Sequence, residues 1–88
     1  MPKIQSSNPD FLPELYVKQE EVELIRAIIA WDHEIVPEEV VIESMLVVDY
    51  DYGYTNTHYY VEVRTNLGVF TAHRSDTVDG VNWNILSK

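Results

Sequence analysis

The chain contains no cysteine, no glycine-rich loop, no long hydrophobic run and almost no basic residues in its first half. Without cysteine, disulfide bonds and thiolate chemistry are excluded. No apolar segment is long enough to span a bilayer, and the N-terminus has no apolar signal region. Together with a length of 88 residues, these absences predict a soluble, cytoplasmic protein of one domain.

The negative charge is concentrated in the first 51 residues. They carry twelve acids and three bases, whereas the remaining residues carry three of each. Seven carboxylates and no Lys or Arg occur in one run: Asp32, Glu34, Glu38, Glu39, Glu43, Asp49 and Asp51. A small domain cannot bury so many unpaired charges. We therefore expect a strongly negative surface that attracts cationic partners and disfavours direct contact with nucleic acid or anionic membranes.

Hydrophobic periodicity predicts an α+β fold. One N-terminal amphipathic helix, from about Glu14 to Trp31, is expected to pack on a three- to four-stranded antiparallel β-meander, with Trp31 in the core. Pro37 and the two acids after it favour a further short helix before the first strand. Residues 1–13 contain three prolines and are predicted to form a flexible arm, which leaves residues 14–88 as a single compact domain.

The second half of the chain has the period of two that is typical of strands. Strict alternation puts Leu46, Val48, Tyr50 and Tyr52 on one face and Val47, Asp49 and Asp51 on the other. The segments Asn66-Leu67-Gly68 and Asp79-Gly80 predict hairpin turns. Charged side chains on the later strands are expected to form ordinary cross-strand ion pairs, among Glu62, Arg64 and Arg74.

The acids on the first long strand, with nearby tyrosines, are the candidate binding site. Alternate strand residues are about 6.6 Å apart, close to the spacing of phosphates along a nucleic-acid strand. Asp49 and Asp51 have this spacing, and the preceding glutamates would lengthen the row. Tyrosine is enriched in interface hot spots, and two tyrosines are expected at the surface. The predicted partner-binding residues are Glu38, Glu39, Glu43, Asp49, Asp51, Tyr54 and Tyr60.

This pattern favours a small acidic protein-interaction module that inhibits a basic nucleic-acid-binding protein by mimicking phosphate charge. Such chemistry is useful in phage-encoded inhibitors of host defence, such as anti-CRISPR-like proteins, and in immunity proteins of toxic nucleases. Two alternatives stay open. One is a small-molecule or metal-binding module on the tyrosine-rich sheet. The other is a structural protein that self-assembles, as a homodimer or larger, through a sheet edge or the helix face.

Catalytic and cofactor motifs are missing, so the chain is predicted not to be an enzyme and to need no cofactor or metal. There is no Gly-x-Ser-x-Gly elbow and no Walker pattern. Asp49-x-Asp51-x-Gly53 resembles the start of a calcium loop, but Tyr54 and Tyr60 occupy the positions that need Gly and Glu. His58 and His73 would lie on neighbouring strands, where a metal site with Asp49 or Asp51 is a minor alternative.

Overall fold

A six-stranded mixed sheet, curved into a half-barrel, forms most of the protein. The computed structural model describes residues 3–6 and 15–87. The strands are β1 (Lys3–Ser6), β2 (Leu15–Tyr16), β3 (Ile42–Tyr52), β4 (Asn56–Thr65), β5 (Gly68–Thr77) and β6 (Gly80–Ser87). A helix, α1 (Gln19–His33), and a 3-10 helix (Pro37–Glu39) lie between β2 and β3. The strand order is β2-β1-β3-β4-β5-β6. Only the β1–β3 pairing is parallel among the described strands.

The predicted three- to four-stranded antiparallel meander is wrong. Two short strands before the helix extend the sheet beyond β3, and the parallel pairing of β1 with β3 makes the sheet mixed. With four and two residues, β1 and β2 are too short to show a period-two pattern. Lys3–Ser6, expected to belong to a flexible arm, form β1. The rest of the predicted arm, residues 1–2 and 7–13, lies outside the described residues.

Helix α1 begins at Gln19, later than the predicted start at Glu14, because the chain is extended at β2 immediately before it. The Glu21 carboxylate accepts a hydrogen bond from the Lys18 backbone N–H at 2.8 Å, which satisfies a donor at the N-terminus. The helix ends where Glu34 adopts a left-handed conformation, with φ of 57°. No helix among the described residues is long and apolar enough to cross a membrane.

The core lies between α1 and the concave face of the sheet. Ile25 and Ile29 of the helix are fully buried. They belong to one cluster with strand residues Val47, Val61, Val63, Phe70, Ala72 and Trp83. Trp31 was expected in this core and is instead 84% exposed. At 100° per residue, Trp31 projects about 120° away from Ile25, which is too far round the helix to reach the sheet.

Two-residue turns connect β4 to β5 and β5 to β6, as the sequence predicted. Gly68 and Gly80 close these turns with φ of 135° and 129°, values that favour glycine. Thr65 donates a hydrogen bond to the Gly68 carbonyl at 2.9 Å, and Thr77 makes the equivalent bond to Gly80 at 3.2 Å. The two turns therefore share a Thr-x-x-Gly pattern, and their fixed length sets the register of the three strands.

Replacing Ile29 by alanine should destabilise the fold strongly. The side chain is 1% exposed, so its loss removes buried apolar surface and leaves a cavity that costs about 2–5 kcal/mol. Urea denaturation followed by circular dichroism measures the free energy of unfolding. The control is Val36→Ala, at a side chain that is exposed beyond the end of α1, where we expect a change of about 0.5 kcal/mol or less. Equal effects of the two substitutions would contradict the assigned core.

Candidate protein-binding surface around strand β3

An extra residue in β3 decides which side chains face the solvent. Val47 pairs with Val61, but Asp49 pairs with Tyr60, so Val48 has no partner on β4 and forms a β-bulge. The strict alternation expected from the sequence is therefore wrong across this point. Val47 is fully buried and Val48 is 39% exposed. The bulge lets Val47 remain in the core while the aspartates that follow project from the outer face.

The outer face of β3 carries Asp49 and Asp51, here called the aspartate pair. They lie opposite Tyr60 and His58 of β4, and both are exposed. Their positions two residues apart on an extended strand separate them by about 6.6 Å. Asp49 accepts a hydrogen bond from the Tyr50 backbone N–H at 2.8 Å. Within residues 3–6 and 15–87, neither aspartate forms an ion pair, so both charges are available to a partner.

The other predicted acids form a separate group at the opposite end of β3. This glutamate cluster consists of Glu38 and Glu39 in the 3-10 helix and Glu43 near the start of β3, and all three are exposed. Glu43 precedes Asp49 by six residues, but β3 has irregularities on both sides of this stretch, so the span matches only four to five residues of β4, about 15 Å. Asn66 holds the 3-10 helix against the β4–β5 turn, since its side-chain amide N–H donates to the Glu39 carbonyl at 2.9 Å. Glu43 and the aspartate pair therefore lie on one strand, whereas Glu38 and Glu39 precede it in the 3-10 helix.

The two tyrosines predicted for the site have different surroundings. Tyr54 lies in the β3–β4 connection and is completely exposed. Tyr60 is partly buried on the outer face, directly across from Asp49, with its ring centroid 5.1 Å from that of His73. Tyr50 and Tyr59 pair with each other on the concave side, with ring centroids 5.3 Å apart. Thus Tyr60 adjoins the aspartate pair, whereas Tyr54 extends the surface beyond the end of β3.

Two histidines meet beside the aspartate pair. His58 Nδ1 lies 2.7 Å from His73 Nε2, so one of these nitrogens donates a hydrogen bond to the other. The pKa of His73 is lowered, first by burial and then by the neighbouring His58. His58 also lies opposite Asp51. Nevertheless, no three metal-ligating side chains come close enough to hold an ion among the described residues. A metal-binding module therefore stays a prediction with two adjacent imidazoles in its favour.

A partly buried ion pair that the sequence did not indicate joins α1 to the sheet. Arg74 Nε donates to Glu21 Oε1 at 3.0 Å, and the Trp83 indole N–H donates to the same oxygen at 2.8 Å. Arg74 also contacts Asp76 at 3.4 Å. Burial by itself would raise the pKa of Glu21, but the hydrogen bonds from Lys18, Trp83 and Arg74 outweigh it and hold the pKa below its usual value.

The expected cross-strand pairs among Glu62, Arg64 and Arg74 are wrong in part. Glu62 and Arg64 do form an ion pair, at 3.5 Å, but they lie on the same strand and are solvent-accessible. Arg74 pairs opposite Tyr59, on the concave side of the sheet, and is buried against α1. Its role is therefore structural, and it does not lie on the outer face with the aspartate pair.

The chain matches no protein-family model, no curated protein and no solved structure.

Replacing Glu21 by glutamine should leave Arg74 with a weakened partner and lower the free energy of unfolding by about 3 kcal/mol near neutral pH. The pH dependence should change as well. The pKa of Glu21 is depressed in the folded state, so its contribution is present above the unfolded pKa and is lost as acid protonates it. Denaturation at several pH values compares the variant with Glu23→Gln, which removes a surface pair with Arg26 and should cost at most about 0.5 kcal/mol.

The depressed pKa of His73 predicts a loss of stability in mild acid. The unfolded chain binds a proton near the ordinary histidine value of about 6.5, whereas the folded chain resists it, so stability falls below that pH. The His73→Gln variant lacks this group and should lose less stability between about pH 7.5 and 5.5. Thermal melting at both pH values checks this. An unchanged difference in melting temperature between wild type and variant would contradict the assignment.

Proposed function

We propose that the chain is a small acidic protein-interaction module that acts in the cytoplasm. It binds a basic nucleic-acid-binding protein and inhibits it by occupying the surface that normally holds phosphates. The observation that carries the proposal is the aspartate pair, which is exposed at phosphate-like spacing beside Tyr60 and forms no ion pair with any described residue. In this mode of binding the module contacts protein, not nucleic acid or membrane.

The distance between the two acidic groups suits a single protein interface. A standard interface covers about 800 Å² on each partner and is therefore about 30 Å across. Glu43 of the glutamate cluster lies about 15 Å from the aspartate pair along β3, so one partner is wide enough to contact both. Tyr54 and Tyr60 add aromatic area next to the charges, as hot spots at protein interfaces commonly do.

Electrostatics would govern the rate and the salt dependence of binding. The chain has a net charge of −9, which would attract a cationic surface from a distance and speed association at low ionic strength. Exposed charges are screened over about 10 Å at 0.1 M salt. A phosphate-mimicking inhibitor should therefore bind strongly at low salt, weaken steeply as salt rises, and compete directly with nucleic acid.

Reversing the charge of the aspartate pair should abolish binding without unfolding the chain. Immobilised protein is used to capture partners from a cell lysate, and retained proteins are eluted with a salt step. A captured protein is then purified with its labelled nucleic acid. Wild type should displace the nucleic acid, whereas Asp49→Lys/Asp51→Lys should bind at least about 100-fold more weakly. Circular dichroism checks that the variant is folded, which we expect because both side chains are exposed.

The matched control is Asp32→Lys/Asp79→Lys. It changes the net charge by the same amount at exposed residues in α1 and in the β5–β6 turn. This control should retain most of the affinity, because only the general field changes. Equal loss in both double variants would reduce the interaction to net charge alone and contradict the assigned site. The proposed function would be overturned by a captured protein that keeps its nucleic acid while bound, or by failure to retain any basic protein at low salt.

A further inference from the structure

Two histidines hold their ring nitrogens close together on the outer face of the sheet. His58 of β4 lies directly across from Ser75, two residues beyond His73 on β5. The two histidines are therefore diagonal neighbours on one face of the sheet. His58 Nδ1 lies 2.7 Å from His73 Nε2. Both side chains are half-buried, so solvent reaches the pair. The proposed function makes no use of either imidazole.

The separation of the two nitrogens fits two neighbouring ligands of one metal ion. Imidazole nitrogens bind a divalent ion such as zinc at about 2.0–2.1 Å. At that bond length, two ligands at a right angle are about 2.9 Å apart, and two at a tetrahedral angle are about 3.3 Å apart. The 2.7 Å between His58 Nδ1 and His73 Nε2 is nearer to the first value. Right angles are typical of square-planar and tetragonal sites with nitrogen and oxygen ligands, which suit Cu²⁺ and Ni²⁺.

Both nitrogens can act as ligands at the same time. In the structure, one of them carries a proton and donates a hydrogen bond to the other. A neutral imidazole has one N–H, and its proton can be on either ring nitrogen. When the donor ring moves this proton to its far nitrogen, both facing nitrogens have a free lone pair. After a small rotation of the rings, the ion takes the place of the hydrogen, and no net proton is released.

The fold positions the two imidazoles before an ion arrives. Strands β4 and β5 are interior strands that are paired on both sides. Tyr60 also packs against His73, with ring centroids 5.1 Å apart. Ligands that are already held on rigid strands lose little conformational freedom when they bind, which favours chelation of an ion.

The surroundings of the two histidines are negative and leave room for water. Asp51 lies directly opposite His58, and Asp49 lies opposite Tyr60, so the local field attracts a cation. Within the ranges 3–6 and 15–87, no third metal-ligating side chain converges with the two imidazoles. Water would therefore occupy the other coordination positions of the ion.

We propose that His58 and His73 form a chelating site for a divalent ion with planar coordination, Cu²⁺ or Ni²⁺, completed by water. The site needs no protein partner, so this inference is independent of the proposed function, and either can fail without the other. Mg²⁺ takes oxygen ligands and should not compete for the two imidazoles, although in excess it occupies exposed carboxylates such as the aspartate pair.

Titration of the full chain with Cu²⁺ in the presence of excess Mg²⁺ provides the test. Calorimetry should give a Kd of about 10 µM or lower. His58→Gln and His73→Gln each leave one imidazole of the site and should each weaken binding by about tenfold or more. The control is His33→Gln, which removes a histidine whose Nδ1 lies 2.9 Å from the Ile29 carbonyl oxygen. This control should keep the wild-type affinity, and circular dichroism checks that every variant is folded.

Pulsed electron paramagnetic resonance supplies a readout that needs no variant. Cu²⁺ on the wild-type chain should show two coordinated imidazoles, and its paramagnetic broadening of NMR signals should be strongest at His58, His73 and Tyr60. No binding at about 1 mM Cu²⁺ would overturn the proposal. A bound ion with a single coordinated imidazole, or an affinity that both single variants retain, would also overturn it, because the ion would then be held elsewhere.

Discussion

The rule that an ionised carboxylate is not buried without a partner determines the shape of β3. Val47 belongs to the core, and uninterrupted alternation would place Asp49 and Asp51 on the same buried side. The extra residue at Val48 reverses the alternation. Tyr50 then returns to the concave face, where it contacts Tyr59, and the aspartates reach solvent. A single bulge therefore satisfies the apolar core and also creates the acidic surface on which the proposed function rests.

The second constraint concerns the concave side, where one helix must cover a wide curved sheet. Ile25 and Ile29 of the helix are fully buried in the core cluster on this side. Glu21 fixes the orientation of the helix on the sheet, because its carboxylate accepts hydrogen bonds from the Lys18 backbone N–H, from Arg74 and from Trp83. The helix is thereby held near β5 and β6. Trp31 projects about 120° away from Ile25, outside the contact with the sheet, so a tryptophan that the helical pattern assigns to the core is in solvent.

Local signals in the sequence predicted local structure well. The turns at Gly68 and Gly80 and the exposure of the aspartates follow from residue type alone. Had the two-residue turn after Thr65 been used to set the register, it would have paired Tyr60 with His73 and brought His58 close to both. Features that depend on distant contacts were not predictable. The two short N-terminal strands have no periodicity of their own, and the partnership of Glu21 with Arg74 joins residues 53 positions apart. The bulge at Val48 was missed because Val47 and Val48 are chemically alike.

The topology described for the sheet has a consequence for the order in which the chain folds. Strands β3 to β6 follow one another through short connections, so their pairings close small loops and lose little chain entropy. By contrast, β1 joins β3 in parallel across about 40 residues of intervening chain. The antiparallel strands can therefore assemble first and provide the template, with the N-terminal strand added late. Before β1 is added, β3 and β6 are both edge strands with unpaired backbone groups. The acidic residues of β3 would then repel other copies of the chain from that edge.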